Sequence, residues 1–273
     1  MNFDWAFFWD SLFHPSTAYL NGLLLTVVIS LVSMFLGLVL GLVLALMRLS
    51  RNAILRCISA VYVWVMRGIP ILVILVIIYL GLAAAGIYKF QDATVLHVTI
   101  AGSIQAALVG LTLNQAAYIS EIIRSSVSAL PDGQMEASLA MGMTKTSAMR
   151  WIILPQAVRS MIPPLGNQFN QLMKNTSLLS IIGVSEIFLI TQSISSATFR
   201  TFEIFIVTGI YYLLLTTIWT FAQNQLEALF NRRLGIPTPS LSSRIQAQYM
   251  ALMRNIKPSA AAGKNGASIE NTH

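Results

Sequence analysis

The chain has 273 residues, of which 56% are hydrophobic and only 10% charged, with a formal net charge of +7. Soluble domains carry about a quarter charged residues, so the composition excludes a soluble globular protein and points to a membrane; the basic excess, with no basic patch interleaved with aromatics, does not point to nucleic acid. Cys57 is the only cysteine, which excludes an intrachain disulfide framework, and His14, His97 and His273 are too scattered for a metal site.

Residues 1–19 hold Phe3, Trp5, Phe7, Phe8, Trp9 and Phe13 with Asp4 and Asp10. Without a basic stretch before an apolar core this is no signal peptide, and it reads as an interfacial segment on the outer face. Residues 20–46 form a first span of ~40 Å, longer than a ~30 Å hydrocarbon core, so it tilts or protrudes. Ser33, Gly37, Gly41 and Ala45 recur every four residues along it, a small-residue stripe for close helix packing. Arg48, Arg51 and Arg56 follow on the cytoplasmic side. Residues 54–66 read as an interfacial lead-in helix, and 69–87 as a second span with Pro70 in its first turn.

The third span, 95–123, carries Ser103, Gln105, Thr112, Asn114, Gln115, Tyr118, Ser120 and Glu121. A fourth, 165–190, is interrupted by Asn167, Gln168, Asn170, Gln171, Lys174, Asn175, Thr176, Ser177 and Glu186. Helices this polar cannot face lipid all round, because an unsatisfied polar group there costs several kcal/mol. Glu186 is placed near the outer end, where water reaches it. Residues 205–221 form a fifth span that continues helically to 229. Of 17 Lys and Arg, Lys89 and Arg200 lie in outside loops and Lys174 within a span; the rest lie inside or at the inner boundary. The expectation is an all-α integral membrane protein with five core transmembrane helices, the N-terminus outside and the C-terminus inside. Residues 20–230 form the membrane domain, and 235–273 a flexible, weakly basic cytoplasmic tail with a weak amphipathic trace near 246–253.

Between the third and fourth spans lies the longest core stretch that is not membrane-like, 130–166. Pro131, Asp132 and Gly133 suit a turn and helix start, with Asp132 able to accept from freed amides. Met135, Leu139 and Met143 share one helical face, and Gly142 falls where a helix ends in the left-handed conformation. A second amphipathic helix then carries Lys145 and Arg150 up to Ile152, Leu154 and Pro155. A helix, a sharp corner and a helix held outside a membrane form a docking element.

Glu136-Ala137-Ser138, then Gly142, then Ile152, Leu154 and Pro155 resemble the cytoplasmic "EAA" loop of permease subunits in bacterial ABC importers. That pattern is E-A-A, three residues, G, nine residues, then I-x-L-P, and the one departure is Ser138 at the third-position Ala. Ser is still small, and its hydroxyl can back-bond to a helix carbonyl. The resemblance runs from about residue 21 to 229. Asn21-Gly22 leading into Thr26, Arg67-Gly68-Ile69-Pro70, Asn114-Gln115-Ala116-Ala117-Tyr118, Glu121 and Lys174-Asn175-Thr176-Ser177-Leu178 are similar to the polar amino-acid branch, which serves histidine, glutamine, arginine and opines.

The resemblance implies a type I ABC importer permease architecture in a bacterial inner membrane, with residues 131–155 seated on ABC ATPase subunits and Glu136 and Gly142 as coupling residues. It also implies a second permease subunit, either a copy or a paralogue, and a soluble substrate-binding protein outside. No G-x-x-x-x-G-K-[ST] loop occurs, so the chain is not expected to be an enzyme or to bind a cofactor; ATP-Mg belongs to the partner ATPase. Asn114, Tyr118, Glu121, Lys174, Asn175, Thr176 and Ser177 are candidates to line the substrate path, since intramembrane ionisable groups are functional by default. Glu121 and Lys174 match the ammonium and carboxylate of an amino acid; alternatively Glu121 pairs with Lys174 or Arg124 to close a cytoplasmic gate. A stand-alone ion-coupled carrier or channel using Glu121 is the competing class, although five spans show no inverted repeat.

Overall fold

The computed structural model describes residues 3–95, 98–233 and Met250. The chain divides into one compact unit, Met1–Glu227, and a second, Ala228–His273; of the tail expected at 235–273, only Met250 lies within the described residues. A short helix, α1 (Trp5–Phe13), is capped by Asp4, whose carboxylate accepts from the Phe7 amide. Ser16 caps the long α2 (Thr17–Leu49), and Asn52 caps α3 (Ala53–Gly68). Helix α3 ends at Gly68, because Pro70 forces the residue before it, Ile69, into an extended conformation (φ −98°, ψ 132°). The chain then turns through 104° into α4 (Ile71–Ala84). The lead-in helix and the second expected span are thus two halves of one bent unit.

The third expected span begins late. Residues 93–95 and 98–100 form an antiparallel hairpin, β1 (Ala93–Val95) and β2 (Val98–Ile100), with Thr94 opposite Thr99. A run rich in Val, Thr and Ile suits pleated backbone better than helix. Helix α5 (Gly102–Ser128) starts at Gly102 because the Asp92 carboxylate accepts its amide at 2.8 Å. A Cβ at Gly102 would come within 2.5 Å of the Phe90 carbonyl oxygen, so only glycine fits there.

Helix α6 (Asp132–Ala140) and α7 (Lys145–Ile182) follow. The fourth expected span, 165–190, corresponds to the second half of α7 and runs past its end at Ile182 into the helix that follows; α7 itself starts at the second loop helix instead of at residue 165. It carries Pro155, Pro163 and Pro164 within it. A wide turn at Met149–Ile153 precedes Pro155, where the proline ring would otherwise crowd the preceding turn. The Gln156 amide donates to the Ile152 carbonyl at 2.9 Å, supplying a side-chain donor in that turn. The helix tightens to a 3₁₀ turn at Thr176–Ile182 and stops at Gly183 in the left-handed conformation (φ 77°). After a 53° bend comes α8 (Ile187–Thr198), then α9 (Thr201–Arg233).

Glycine positions show how the bundle packs. A Cβ at Gly37 would approach Gln115 Cβ to 2.9 Å, and one at Gly41 would approach Ile119 Cγ2 to 2.8 Å, so α2 and α5 lie parallel and almost backbone to backbone. The small-residue stripe expected from the sequence is this seam. Helix α7 runs antiparallel to α5: Ile119 and Ile123 pack with Ala157 and Met161, whereas Ala107 and Leu111 pack with Leu172 and Met173. Helix α9 runs back along α7, with the Trp219 indole donating to the Gly166 carbonyl at 2.9 Å. Among the described residues, Thr17–Leu49, Gly102–Ser128 and Thr201–Asn231 are long and apolar enough to cross a membrane; counting each bent pair as one span raises the number from 3 to 5.

Candidate coupling surface and translocation path

The 131–155 element has the geometry its residues demand. Helix α6 ends in a double backbone closure: the Gly142 amide donates to the Leu139 carbonyl at 3.0 Å and Met143 to Ser138 at 3.1 Å. This is a Schellman termination, which needs a left-handed residue, and Gly142 has φ 83° with nothing near its missing Cβ. The Ser138 hydroxyl back-bonds to the Gln134 carbonyl at 2.7 Å, as its place in the helix suggests, and the side chain is buried. Thr144 caps the next helix by accepting from the Ser147 amide. Asp132, expected to accept from freed amides, instead stands inside the first turn with Pro131 at the cap position and no side-chain cap bond. Its charge still faces the positive end of the helix.

Glu136, Ala137, Leu154 and Pro155 are exposed, and Ile152 is half-buried. Around them Leu139, Met141 and Trp151 are exposed by 40, 84 and 66%. Three large apolar side chains are thus exposed at a corner whose helix end is closed by its own backbone, a feature common at protein–protein contacts.

The expected substrate path splits in two. Asn114, Tyr118 and Glu121 do share one face of α5, but that face is engaged by α2 and α3. The Asn114 amide donates at 2.9 Å to the Met66 carbonyl. That carbonyl has lost its helical partner because the chain leaves α3 at Ile69 and Pro70 has no N–H. Asn114 therefore holds the break of the bent unit. Arg67 stacks over the Tyr118 ring with its guanidinium 5.3 Å from the centroid. Glu121 accepts from Arg124 at 3.0 and 2.5 Å and lies 3.5 Å from Arg48 at the end of α2.

Lys174 is elsewhere. Gln168 donates to Gln115 across the α5–α7 seam at 2.8 Å; Glu121 lies six residues from Gln115 toward one end of the bundle, and Lys174 six from Gln168 toward the other. At 1.5 Å per residue the two charges are ~18 Å apart along the axis. They neither pair nor match the ammonium and carboxylate of one amino acid within this chain; Glu121 pairs with Arg124 and Arg48 instead. Asn175 and Ser177 are half-buried and Thr176 is buried; the two hydroxyls bond back to the Met173 and Lys174 carbonyls.

What the sequence did not resolve is the face of α7 that remains uncovered. Ser160, Asn167, Gln171 and Lys174 are exposed, at spacings of 7, 4 and 3 residues, which places them in one stripe along the helix. On α9 the large exposed side chains are mostly apolar, Leu213, Leu214, Ile218 and Phe221 among them, with Thr217 and Thr220 exposed beside them. The signal was present in the polar run of α7, but its direction required the packed neighbours. Glu186 also differs from expectation: it is fully buried and out of reach of water. It caps α8 by accepting from Phe188 and Leu189 amides at 3.0 and 2.9 Å, and it accepts from the Tyr212 hydroxyl at 3.2 Å.

Comparison with known proteins gives concordant matches. Residues 37–232 match the family described as binding-protein-dependent transport system inner membrane component. The chain is 39% identical over 225 residues to a probable amino-acid ABC transporter permease protein, YckA, of Bacillus subtilis, covering 80% of this chain and 94% of that one. It is 35% identical over 227 residues to the glutamine transport system permease protein GlnP of Escherichia coli K12, covering 83% and 97%. The crystal structure of an amino acid ABC transporter with histidines superposes with a TM-score of 0.72 at 31% identity, covering 85% of this chain and all of that one.

Proposed function

The chain belongs to the family of binding-protein-dependent transport system inner membrane components, and we propose that it is the membrane-spanning permease subunit of an ABC importer for polar amino acids. The observation that carries the coupling half of this reading is the exposed apolar corner of Leu139, Met141 and Trp151 around Gly142, on an element with the EAA spacing. Such a rigid corner converts movement of a docked ATPase into helix rotation. Glu136, Ala137, Gly142, Ile152, Leu154 and Pro155 form the coupling surface over the buried Ser138, with Glu136 offered to a basic residue of the ATPase.

The bent pairs count as single spans in this reading, so five helices cross a bacterial inner membrane in a type I arrangement, N-terminus outside and C-terminus inside. Lys and Arg concentrate toward the α6 end, in keeping with a cytoplasmic location. Two such subunits, copies or paralogues, enclose the path between them. The polar stripe of α7 (Ser160, Asn167, Gln171 and Lys174) lines it, because lipid cannot satisfy those groups. Asn114, Tyr118 and Glu121 act from behind that wall by holding α3 and α2 to α5. A soluble binding protein delivers the amino acid outside; ATP-Mg is held by the partner ATPase, and this chain binds no cofactor. A carrier driven by ion binding at Glu121 has less support, since Arg124 and Arg48 already occupy that carboxylate.

The test is affinity purification of a tagged copy from its own gently solubilised membranes, followed by mass spectrometry. A co-purifying P-loop ATPase is expected, and a second permease beside it distinguishes a paralogue pair from two copies. Recovery without any ATPase under conditions that preserve membrane complexes would overturn the reading.

A further inference from the structure

The charges around Glu121 do not balance. One carboxylate meets Arg124 and Arg48, and Arg67 lies over Tyr118 one turn away. Arg48, Arg124 and Glu121 keep 23–33% of their side chains exposed, so the surplus is reachable from outside. Arg51 and Arg56 are exposed on the adjoining connector and first turn of α3, with no acidic partner among the described residues. Helix α3 is fixed against α2 here, since the Ser59 hydroxyl donates to the Leu44 carbonyl at 2.8 Å. Beside this seam both helices turn apolar side chains outward: Leu42 and Leu46 on α2, Ile54, Ile58 and Trp64 on α3, exposed by 49–75%.

A basic surplus bordered by exposed aliphatic and indole surface fits one class of ligand. Guanidinium groups bind phosphate bidentately, and the flanking surface suits acyl chains. We propose that Arg48, Arg67 and Arg124 form a binding site for the headgroup phosphate of an anionic phospholipid, whose chains lie along α2 and α3. Glu121 limits the strength of the site by neutralising one of the three cations. The lipid would brace the three-helix junction of α2, α3 and α5 behind the translocation path. The inference rests on the reading of the chain as a membrane permease with its α6 end at the cytoplasmic leaflet, where anionic lipids attract basic side chains.

The test uses the full complex, released in mild detergent, supplied with equal phosphatidylglycerol and phosphatidylcholine, and examined by native mass spectrometry. Selective retention of phosphatidylglycerol is expected, falling about fivefold for each of Arg48→Gln and Arg67→Gln, while Lys89→Gln leaves it unchanged. Glu121→Gln, which frees a cation, is expected to raise retention, a change of opposite sign that loss of folding cannot imitate. Equal retention of the two lipids, or retention indifferent to all three cluster variants, would overturn the proposal. Displacement of the lipid by free amino acid or by inorganic phosphate would also overturn it, assigning the cluster to the substrate path or to a soluble anion. ATPase co-purification in the same preparation reads the permease assignment separately, so the two can fail independently.

Discussion

Gly142 concentrates two demands at one residue. Its φ of 83° is costly for any residue with a Cβ, yet there is open space where that Cβ would go. Gly142→Ala therefore costs about 1 kcal/mol of local strain and no clash. The subunit should still reach the membrane and assemble, while transport falls severalfold and ATP hydrolysis persists, as measured by uptake and ATPase assays on the same vesicles. Unchanged uptake with normal ATP use would remove Gly142 from coupling. Asn114 presents the opposite case, a buried side chain whose task is structural. Asn114→Ala strands the Met66 carbonyl inside the bundle, and an unsatisfied buried acceptor costs about 1–3 kcal/mol. The expected result is a lower thermal midpoint for the purified complex with substrate preference unchanged; an altered preference at normal stability would return Asn114 to the path.

Among the elements, the α2–α5 seam is the tightest. At Gly41 a Cβ would meet Ile119 Cγ2 at 2.8 Å, Ile119 Cβ at 2.9 Å and the Ala116 carbonyl at 3.0 Å. Backbone and a β-branched side chain cannot easily move aside, so Gly41→Ala should destabilise by about 1–3 kcal/mol. Gly209 in α9 has no atom within 4 Å of its missing Cβ, and Gly209→Ala should be neutral or stabilising by about 0.5–1 kcal/mol through lost chain entropy. Thermal melts of the two variants in detergent separate these effects. The α7–α8 break is held by different means. Glu186 caps α8 and reaches Tyr212 on α9 and, at 3.5 Å, the Thr26 hydroxyl on α2. A single buried carboxylate thus fixes where three helices meet the bend.

In the proposed importer, what covers α7 would decide where the substrate passes. In a Cys57→Ser background, Gln171→Cys should react with a membrane-impermeant maleimide, or cross-link to a second permease, in membranes. Ile218→Cys on the apolar face of α9 should do neither. Equal reactivity at both positions would mean that the α7 stripe does not face an aqueous path. In the proposed arrangement the corner at Gly142 would move the α7 wall, because the Thr144 cap that opens α7 lies two residues beyond it.

Much of this was legible along the chain because it depends on local chemistry. The apolar composition requires a membrane, the four-residue repeat of Ser33, Gly37, Gly41 and Ala45 requires a close helix partner, and a glycine after α6 requires a left-handed stop. Within the EAA spacing, Ser138 and Gly142 were legible for the same reason, since the Gln134 carbonyl and the helix end that they serve lie within four positions. Other features depended on partners distant in sequence. The start of α5 waited on Asp92 and the Phe90 carbonyl, which no hydropathy pattern reports. The Glu121–Arg124 pair was one of two that the sequence offered; that Arg48 joins it and Lys174 does not followed from the packing of α2 on α5 and the antiparallel register of α5 and α7. The burial of Glu186 required α2, α8 and α9 to close over it. Polarity in the sequence shows that a group needs a partner; only the tertiary packing decides whether that partner is a neighbouring helix or water, because charge and hydrogen-bond energies depend on distances that the order of residues does not contain.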